Sequence, residues 1–520
     1  MKLEIAGKLD LSVRQDALLV PVIQDCVSED PLVAGLDGRL DGALGKLILQ
    51  EEFKGKPGQV LSFNTLGRIG VETVCLMGLG PEQKLSAEAY RRAAGRAADC
   101  LRRMRAKKAV IACQVPAGKM VSAEDIAGGL VQGVWLGLYR FDKYKSRNDN
   151  GGEKYAGPDK AALFFCDSKG RPAKLSHPGL KEAAARELTI AEGVAGARDL
   201  VNEIPEELFP ASLAKKAGEL TGGIKGLTCR VLDEKQMKKE KMEAALAVGR
   251  GSGHGPRFIE IVYKPVGRVR RDELLVLVGK GVTFDSGGLN IKPGEHMVTM
   301  KMDMSGAAVV INAIALIARL RLPVRCAAVV AAVENMPSGR SYKPDDVVRS
   351  MNGMTIEVGN TDAEGRVTLA DSLSWAVQKL GATRIVDLAT LTGACVVGLG
   401  PTTAGVFGND GTWTEAVVEA AGRAGEKVCR LPLDEDMADD IKSEVADVKN
   451  VGATRFGGAI AGALFLQKFV GEVPWVHLDI AGPSWADKKR HYEPVGGTGF
   501  GVRTLVRLAE KLAAEGRKKK

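Results

Sequence analysis

The segment at residues 360–366, which reads NTDAEGR, places charged side chains at every second position. Asp362, Glu364 and Arg366 stand two residues apart, and carboxylates this close together repel each other. A multiply charged cation is the simplest group that keeps both ionised. If the segment is extended, side chains at positions i and i+2 point to the same side. The spacing therefore predicts that Asp362 and Glu364 straddle a dinuclear metal centre.

A second group of charged residues follows the apolar run at 274–278. Lys280 and Asp285 come directly after this run, and Lys292 follows them in a glycine-containing loop. Asp303 then precedes a helical pattern. In parallel α/β sheets, sites lie beyond the carboxyl ends of the strands. We therefore expect these side chains to join the NTDAEGR segment in one site.

The chain contains five histidines, and none stands in an HExxH motif, so a zinc-protease helix of that kind is excluded. A carboxylate-rich site suits two divalent ions that clamp both an attacking water and a polarised carbonyl. Pattern alone leaves a second interpretation open, in which each carboxylate is a solvated loop residue or a helix cap. An N-cap role is the most natural alternative for Asp303.

The elements that must position these residues alternate between strands and helices. Four apolar runs in the second half of the chain are nearly continuous, which is typical of strands buried on both faces. They lie at 274–278, 325–333, 384–389 and 475–481. Helical patterns at 307–320 and 367–380 lie between them. The alternation predicts an α/β fold whose central sheet is mixed, mostly parallel and covered by helices on both faces.

The length of 520 residues predicts more than one domain. A helical pattern from Leu180 to Val201 stops before Pro205, and a polar stretch without period precedes it at 143–160. We predict an N-terminal α/β domain at 1–175 with an oligomeric or regulatory role, a linker helix at 176–203 and the larger domain, which carries the candidate site, at 204–520.

Composition is that of a soluble globular protein, with 45% hydrophobic and 26% charged residues. We expect neither a signal peptide nor a membrane span. The nine cysteines are scattered and form no CxxC pair, which favours reduced thiols in the cytoplasm. The net charge is +9, with basic runs at 102–108 and 267–271. No aromatic residues interleave with these runs, so solvated faces are favoured and DNA binding is only weakly supported.

At the charged segments the sequence resembles the leucyl aminopeptidase, or cytosol aminopeptidase, family. The resemblance covers roughly residues 180–510 and is weaker before about residue 175. Its most specific element is NTDAEGR. The other segments that carry it are VGKGVTFDSGG with IKP, KMDMSGAA, AVGRGSGHGPRFIEIVY, ENMPSG, DLATLTGA, DVKNVG, GGAIAGALFL, HLDIAG and GTGFGVRTL.

The resemblance implies a ligand set for two divalent ions per subunit. Asp285 and Glu364 would bridge the ions, Lys280 and Asp303 would complete the tighter site, and Asp362 the more exchangeable one. Manganese or zinc is implied, with magnesium or cobalt as alternatives in the exchangeable site. A lysine ligand must lose its proton, so two adjacent cations should strongly lower the pKa of Lys280.

The same resemblance implies the remaining roles. Lys292 would stabilise the oxyanion, and Arg366 would hold a bicarbonate ion that takes the proton from the attacking water. Met300, Thr390 and Leu391 would contact the substrate, although their bare pattern is that of core and loop. The implied protein is a cytoplasmic homohexamer that releases N-terminal residues, preferably leucine and other large apolar ones, from peptides with a free N-terminus.

Other interpretations have weaker support. FDSGGL at 284–289 superficially resembles a serine-protease nucleophile segment, but the matching histidine segment and all-β pattern are missing. The glycine-rich GRGSGHG at 249–255 lacks the lysine and hydroxyl of a phosphate-binding loop and is expected to form loop turns. Asn290 stands where many relatives have serine, and we expect that difference to matter little.

Overall fold

The computed structural model describes residues 2–116, 121–146, 155–266, 272–454 and 456–518. The basic run at 267–271 and part of the 143–160 stretch lie outside these residues. Contacts divide the chain into two compact units, one formed by 1–192 with 488–494 and the other by 193–487 with 495–520. The domain limits drawn from the sequence stay a prediction.

The first unit is built around a six-stranded sheet. Its elements are β1 Lys2–Ala6, β2 Gln15–Ile23, α1 Pro31–Arg39, α2 Ala43–Gln50, β3 Val60–Asn64, β4 Val71–Gly80, α3 Ala87–Met104, β5 Lys108–Gln114, α4 Ala123–Leu138 and β6 Lys160–Cys166. The strand order is β1-β6-β5-β2-β4-β3, and only the β3–β4 pair is antiparallel. Leu18 and Leu19 of β2 enter different hydrophobic cores, because successive side chains of a strand point to opposite faces.

Helix α5, His177–Asn202, confirms the helical pattern that the sequence shows from Leu180 to Val201. The second unit continues with α6 Pro210–Thr221, β7 Leu227–Leu232, α7 Glu234–Lys239, α8 Glu243–Gly249, β8 Arg257–Tyr263, β9 Leu275–Gly279, β10 Gly281–Asp285, α9 Gly294–Met297, α10 Ser305–Arg319, β11 Cys326–Asn335, β12 Val347–Arg349, β13 Thr355–Glu357, α11 Glu364–Gln378, β14 Arg384–Ala389, α12 Gly393–Leu399, β15 Ala404–Gly408, α13 Gly411–Ala424, β16 Val428–Arg430, β17 Val448–Lys449, α14 Gly458–Gln467, β18 Trp475–Asp479, β19 Trp485–Ala486, β20 Gly496–Gly497 and α15 Val502–Lys518. Short 3₁₀ turns at Glu82–Lys84, Met300–Met304 and Glu435–Ile441 complete the described elements.

The main sheet of this unit has the strand order β16-β15-β18-β14-β9-β11-β8-β7, with β10 also paired to β11. The four central strands, β18, β14, β9 and β11, are mutually parallel, and antiparallel pairs flank them. These four strands are the four apolar runs of the sequence. The sheet is therefore mixed and mostly parallel, as predicted.

Helices cover both faces of this sheet, which confirms the predicted fold class. Val276 and Val278 of β9 share one hydrophobic core with helices α8, α11 and α14. Leu275 and Leu277 alternate with them and are also buried, on the opposite face. Helix α10 packs against β9 and α15.

One segment of the described chain, Gly294–Arg319, is long and apolar enough by length and composition to cross a membrane. Its apolar window is 83% buried inside the structure. A core helix passes the same test, and helix α10 is a core helix here because it packs against the central strands.

Parallel central strands bring the candidate residues to one edge of the sheet. Lys280 follows β9, and Thr390 follows its parallel neighbour β14. Asp285 is the last residue of β10, in register with Asn335, the last residue of β11. The site therefore lies at the carboxyl ends of the strands, where the sequence predicted it.

Candidate metal centre

Three carboxylates form the centre of the site. One oxygen each of Asp285, Asp303 and Glu364 lies within 4.8 Å of the other two, and all three side chains are buried. Burial raises the pKa of Asp285 to about 6, and the charge of Glu364 adds to the rise. Burial also raises the pKa values of Asp303 and Glu364. Three buried acids in one cluster need positive charge nearby to stay ionised.

Lys280 supplies part of that charge. Its Nζ lies 2.7 Å from Asp303 Oδ1 and 2.8 Å from Glu364 Oε1, and it donates to the Thr390 carbonyl at 3.0 Å. Burial lowers the pKa of Lys280, but the charges of Asp303 and Glu364 outweigh burial and raise it. This rise in the pKa of Lys280 is the effect of the protein's own charged groups. The strongly lowered pKa expected with two bound cations stays a prediction.

Gly365 makes room for this lysine at the start of helix α11. A Cβ at position 365 would lie 2.4 Å from Cε and 2.7 Å from Nζ of Lys280. Contacts that short do not occur, so any larger residue would displace the lysine. The glycine of the NTDAEGR segment is therefore a packing requirement of the site.

Lys292 holds the other two carboxylates. Its Nζ lies 2.9 Å from Asp285 Oδ2 and 2.5 Å from Asp362 Oδ1. The chain reaches this position through a turn at Gly287 and Gly288, whose φ values of 86° and 66° suit glycine. The Gly287 N–H donates to Asp285 Oδ1 at 2.9 Å, which fixes the carboxylate that Lys292 pairs with.

The expected extended geometry of Asp362 and Glu364 is wrong. Glu364 is the first residue of helix α11, and Asp362 lies in the turn before it. Their carboxylates consequently contact different lysines, Glu364 with Lys280 and Asp362 with Lys292. Glu364 is buried, whereas the Asp362 side chain is 33% exposed. The two acids still belong to one site. The backbone turns at the start of helix α11 and brings them there, whereas the sequence argument had placed them on one face of a strand.

The alternative role of Asp303 as a helix cap is also wrong. Helix α10 has Met304 at its N-cap position, without a side-chain cap. Asp303 lies in the 3₁₀ turn Met300–Met304, and its Oδ1 accepts hydrogen bonds from Lys280 and from Thr390 Oγ1 at 2.7 Å each. The side chain is therefore directed into the site.

Several buried carboxylate oxygens are incompletely bonded. Asp303 Oδ2 is buried and has no hydrogen-bond partner among the described residues. Glu364 Oε1 and Asp362 Oδ1 are within ion-pair distance of lysines. Neither oxygen accepts a hydrogen bond of good geometry from a described residue. Burying such oxygens is costly unless a cation coordinates them. An oxygen-rich donor set of this kind fits hard divalent ions.

Arg366 lies two residues beyond Glu364 on helix α11 and is buried. Its Nη1 donates to the Asn450 carbonyl at 2.9 Å, and its Nε has no acceptor among the described residues. Burial lowers the pKa of Arg366, and the charges of Glu364 and Asp479 oppose that change. Part of the guanidinium is thus available to an anion.

The residues expected to contact substrate surround this cluster. Met300 begins the 3₁₀ turn that carries Asp303, and Thr390 bonds Asp303 directly. A Cβ on Gly462 would lie 3.2 Å from Leu391 Cδ2 and 3.4 Å from Arg366 Nη2. The side chains of Leu391 and Arg366 therefore both pack against Gly462. The structure gives Thr390 a positioning role, while the substrate contacts stay predictions.

The polar residues that hold the acids in place were not foreseen. Asn335 Nδ2 donates to Asp285 Oδ1 at 2.8 Å and to the Thr361 carbonyl at 3.0 Å. Asn290 Oδ1 accepts from the Thr361 N–H at 2.8 Å. The expectation that the difference from serine at this position matters little stays a prediction. The signal for Asn335 lies in ENMPSG, where a search for carboxylates selects Glu334 and passes over the asparagine.

Fold and site together define a class: an α/β protein with a buried cluster of carboxylates and lysines, suited to divalent cations, at the carboxyl edge of its sheet. Family models give the class a narrower identity. Residues 195–506 match the catalytic domain of the cytosol aminopeptidase family, and residues 20–148 match its N-terminal domain. The chain belongs to the cytosol aminopeptidase family and is a metal-dependent aminopeptidase.

Individual relatives and solved structures are similar to this chain over most of its length. A probable cytosol aminopeptidase of Aquifex aeolicus is 45% identical over 466 residues, covering 89% of this chain and 90% of the relative. One of Persephonella marina is 40% identical over 504 residues, covering 96% of each. The bottromycin maturation enzyme BotP in complex with Mn matches with a TM-score of 0.82 at 35% identity, covering 96% of this chain and 100% of that one. A tomato leucine aminopeptidase mutant matches with a TM-score of 0.86 at 34% identity, covering 98% and 96%.

Proposed function

We propose that this protein hydrolyses the N-terminal residue of peptides, preferably leucine or another large apolar residue, at a dinuclear metal centre. The observation that carries the proposal is the buried Asp285, Asp303 and Glu364 cluster between two lysines, in a chain of this family. The exact N-terminal preference is the part that the family membership leaves open.

Lys280, Asp285, Asp303, Asp362 and Glu364 would hold the two ions. When bound, the ions would act as Lewis acids that polarise the scissile carbonyl and lower the pKa of the attacking water. Manganese or zinc is proposed, with magnesium or cobalt as alternatives in the exchangeable position. The similar BotP structure is a complex with Mn, which supports manganese.

Lys292 would stabilise the oxyanion of the tetrahedral intermediate. Its ammonium group is already held at the site by Asp285 and Asp362. Burial lowers its pKa, but the charges of Asp285 and Glu364 and the hydrogen bonds to Asp285 and Asp362 outweigh burial and raise it. A protonated lysine in a fixed position needs no reorganisation when negative charge develops on the substrate oxygen.

Arg366 would hold bicarbonate as the general base. The Arg366 Nε lacks a protein acceptor in the described chain, and Nη1 is anchored on Asn450. Such an anion would supply the proton acceptor, a role that His477 does not offer, because it pairs with Asp387 at 2.6 Å.

Met300, Thr390 and Leu391 would contact the substrate side chain beside the cluster. Leu391 packs against the hydrophobic core and lies next to Arg366 across Gly462, which supports an apolar preference near the scissile bond. The free α-amine of the substrate would bind at the metal centre, so peptides with a blocked N-terminus should be excluded.

The protein would work in the cytoplasm as a homohexamer on peptides with a free N-terminus. The family name supports the location, and the assembly is proposed from the resemblance of the catalytic segments. DNA binding, which the basic run at 102–108 supports only weakly, stays a prediction; this run lies across the end of helix α3 and the start of strand β5.

Hydrolysis of leucine p-nitroanilide tests the proposal. The metal-stripped protein should be inactive and should regain activity with Mn²⁺ or Zn²⁺, while N-acetyl-leucine p-nitroanilide should stay intact. Serine-protease reagents should have no effect. Equal cleavage of the acetylated substrate would show that the free amine is not recognised, and inactivity with every divalent ion would remove the proposed reaction.

A further inference from the structure

The second unit contains a cavity of about 630 Å³ that none of the metal-cluster residues lines. Its walls come from helices α7 and α8, the glycine-rich loop at 249–255, Arg340 and strand β12. Small-molecule sites commonly enclose about 300–1,000 Å³. The cavity is therefore large enough for a ligand of metabolite size.

The glycine-rich loop forms one wall and is firmly held. A Cβ on Gly251 would lie 2.1 Å from the Met336 carbonyl oxygen, so the loop backbone packs directly on the neighbouring segment. Ser252 is buried, and its hydroxyl donates to the Glu334 carboxylate while accepting from the His254 N–H. Loop turns were predicted here, and the structure shows that these turns build a closely packed cavity wall.

Charge in the cavity is unbalanced. Among the described lining residues, four cations and two carboxylates give an excess of two positive charges: Lys238, Arg250, Arg340, Arg349, Glu234 and Glu243. Arg340 Nη2 donates to the Ser252 carbonyl at 3.4 Å, and Arg349 Nη1 donates to the Gly353 carbonyl at 2.7 Å. Neither arginine forms an ion pair with a carboxylate of the described chain.

The one ion pair among the lining arginines does not remove this excess. Arg250 Nη2 lies 3.5 Å from Asp346 Oδ2, but Lys343 also pairs with Asp346, at 3.5 Å. Arg250 is further occupied by a hydrogen bond from its Nε to the Arg340 carbonyl at 2.8 Å. The charge of Arg349 helps to lower the pKa of Asp447, but neither Arg349 nor Arg340 is within ion-pair distance of a described carboxylate. Arg340 and Arg349 are thus the guanidinium groups open to a ligand.

We propose that this cavity binds a small phosphorylated ligand. A phosphoryl group carries about −1.5 to −2 charges at neutral pH, which matches the excess of positive charge. One guanidinium group can donate two parallel hydrogen bonds to two oxygens of a phosphoryl group. Glu234 and Glu243 would accept hydrogen bonds from hydroxyl groups, and no aromatic side chain among the described lining residues offers a stacking surface. These features favour a sugar phosphate over a ligand that depends on a stacked base.

Isothermal titration calorimetry on the full-length protein tests the proposal with glucose 6-phosphate, glucose and inorganic phosphate as probes. Glucose 6-phosphate should bind and glucose should not. Arg340→Ala and Arg349→Ala should each weaken binding by about tenfold or more, the usual loss for a hydrogen bond to a charged group. Arg423→Ala removes an exposed arginine of helix α13 that does not line the cavity, and it should bind like the wild type.

A third variant keeps the test decisive if an arginine variant fails to fold. Gly253 lines the cavity, and nothing lies within 4 Å of a Cβ added there. Gly253→Phe should therefore be accepted at its Cβ, place a large side chain at the cavity wall and abolish binding. Thermal unfolding of each variant checks that it is folded. Binding of inorganic phosphate as well would identify free phosphate as a source of the same chemistry and support the site. Two results would overturn the proposal. One is the absence of binding that depends on the phosphate group. The other is glucose 6-phosphate binding that Arg340→Ala, Arg349→Ala and Gly253→Phe all retain, which would place the ligand outside this cavity.

Discussion

Lys280 and Lys292 divide the four acids of the site between them. Lys280 pairs with Asp303 and Glu364, and Lys292 pairs with Asp285 and Asp362. The two lysines have the same charge but different environments, since Lys280 is 4% exposed and Lys292 is 14% exposed at the side chain. The more accessible lysine is the one able to meet a substrate.

This division predicts different consequences for the two lysines. Lys292→Ala should lower kcat by about 10²–10³ fold, the usual loss for an oxyanion donor, while the protein keeps its metal. Lys280→Ala should instead weaken metal retention, as should Asp303→Ala. Steady-state kinetics combined with metal analysis after dialysis separates the two effects. Loss of metal from Lys292→Ala would show that this lysine maintains the centre rather than stabilising the oxyanion.

The packing of Gly365 against Lys280 gives a second prediction. Gly365→Ala should displace the lysine, because the added Cβ would lie 2.4 Å from its Cε, and activity should fall. Gly411→Ala is the matched control, in the first turn of helix α13 with nothing within 4 Å of the added Cβ. The control should be neutral or slightly stabilising, since alanine loses less backbone entropy than glycine on folding. Equal activity of both variants would contradict the packing argument.

Charged residues of the site were predictable because their chemistry is visible in their type. The asparagines and Thr361 were not, because amides and hydroxyls occur throughout the surface and acquire a role only from their neighbours. Asn335 is specified by its contact with Asp285, fifty residues earlier in the chain. The parallel pairing of β10 with β11 places Asn335 beside Asp285, and nothing in the sequence around either residue indicates this contact.

At the scale of elements, the central strands could be predicted almost to the residue. The run at 384–389 is strand β14 itself, since an apolar segment buried on both faces has no polar alternation to blur its limits. The start of helix α11 could not be placed in the same way. The apolar pattern begins at Val367, whereas the helix begins at Glu364, whose charge is stabilised by Lys280 rather than by solvent.

Helix α11 also carries a buried acid remote from the metal cluster. Asp371 accepts hydrogen bonds from the Ala245 N–H at 2.9 Å and the Met351 N–H at 2.7 Å, and thereby joins helix α8 to a turn. Burial raises the pKa of Asp371 to about 7, although these hydrogen bonds oppose the rise. The folded protein therefore binds this proton more tightly than the unfolded chain does.

The sign of the pH dependence follows. Between the unfolded pKa near 4 and the folded pKa of about 7, the native state holds more protons, so this residue lowers the free energy of unfolding as pH rises. Asp371→Asn loses one favourable acceptor at every pH but no longer titrates. The difference in unfolding free energy between wild type and variant should thus shrink as pH rises from 4 to 7, measured by denaturant titration. Parallel profiles would contradict the assignment.

At the scale of the whole molecule, the sequence predicted two α/β domains but not the membership of every segment. Residues 488–494 belong to the first unit although they follow most of the second in the chain. Within the first unit, Tyr492 donates to the Glu88 carboxylate, and its Cβ occupies the space next to Gly95. Glu88 and Tyr492 are 404 residues apart in the chain, so their contact depends on tertiary structure and leaves no local pattern in the sequence.

The central claim is that Asp285, Asp303 and Glu364, with Lys280 and Asp362, hold two divalent ions. Titration calorimetry of the metal-stripped chain with Mn²⁺ tests it most directly. Wild type should bind two ions, and Glu364→Gln, which keeps the side-chain volume and removes the charge, should lose at least one of them. Glu415→Gln alters an exposed acid of helix α13 and should bind like the wild type. Two sites of unchanged affinity in Glu364→Gln, or no binding by the wild type, would contradict the account.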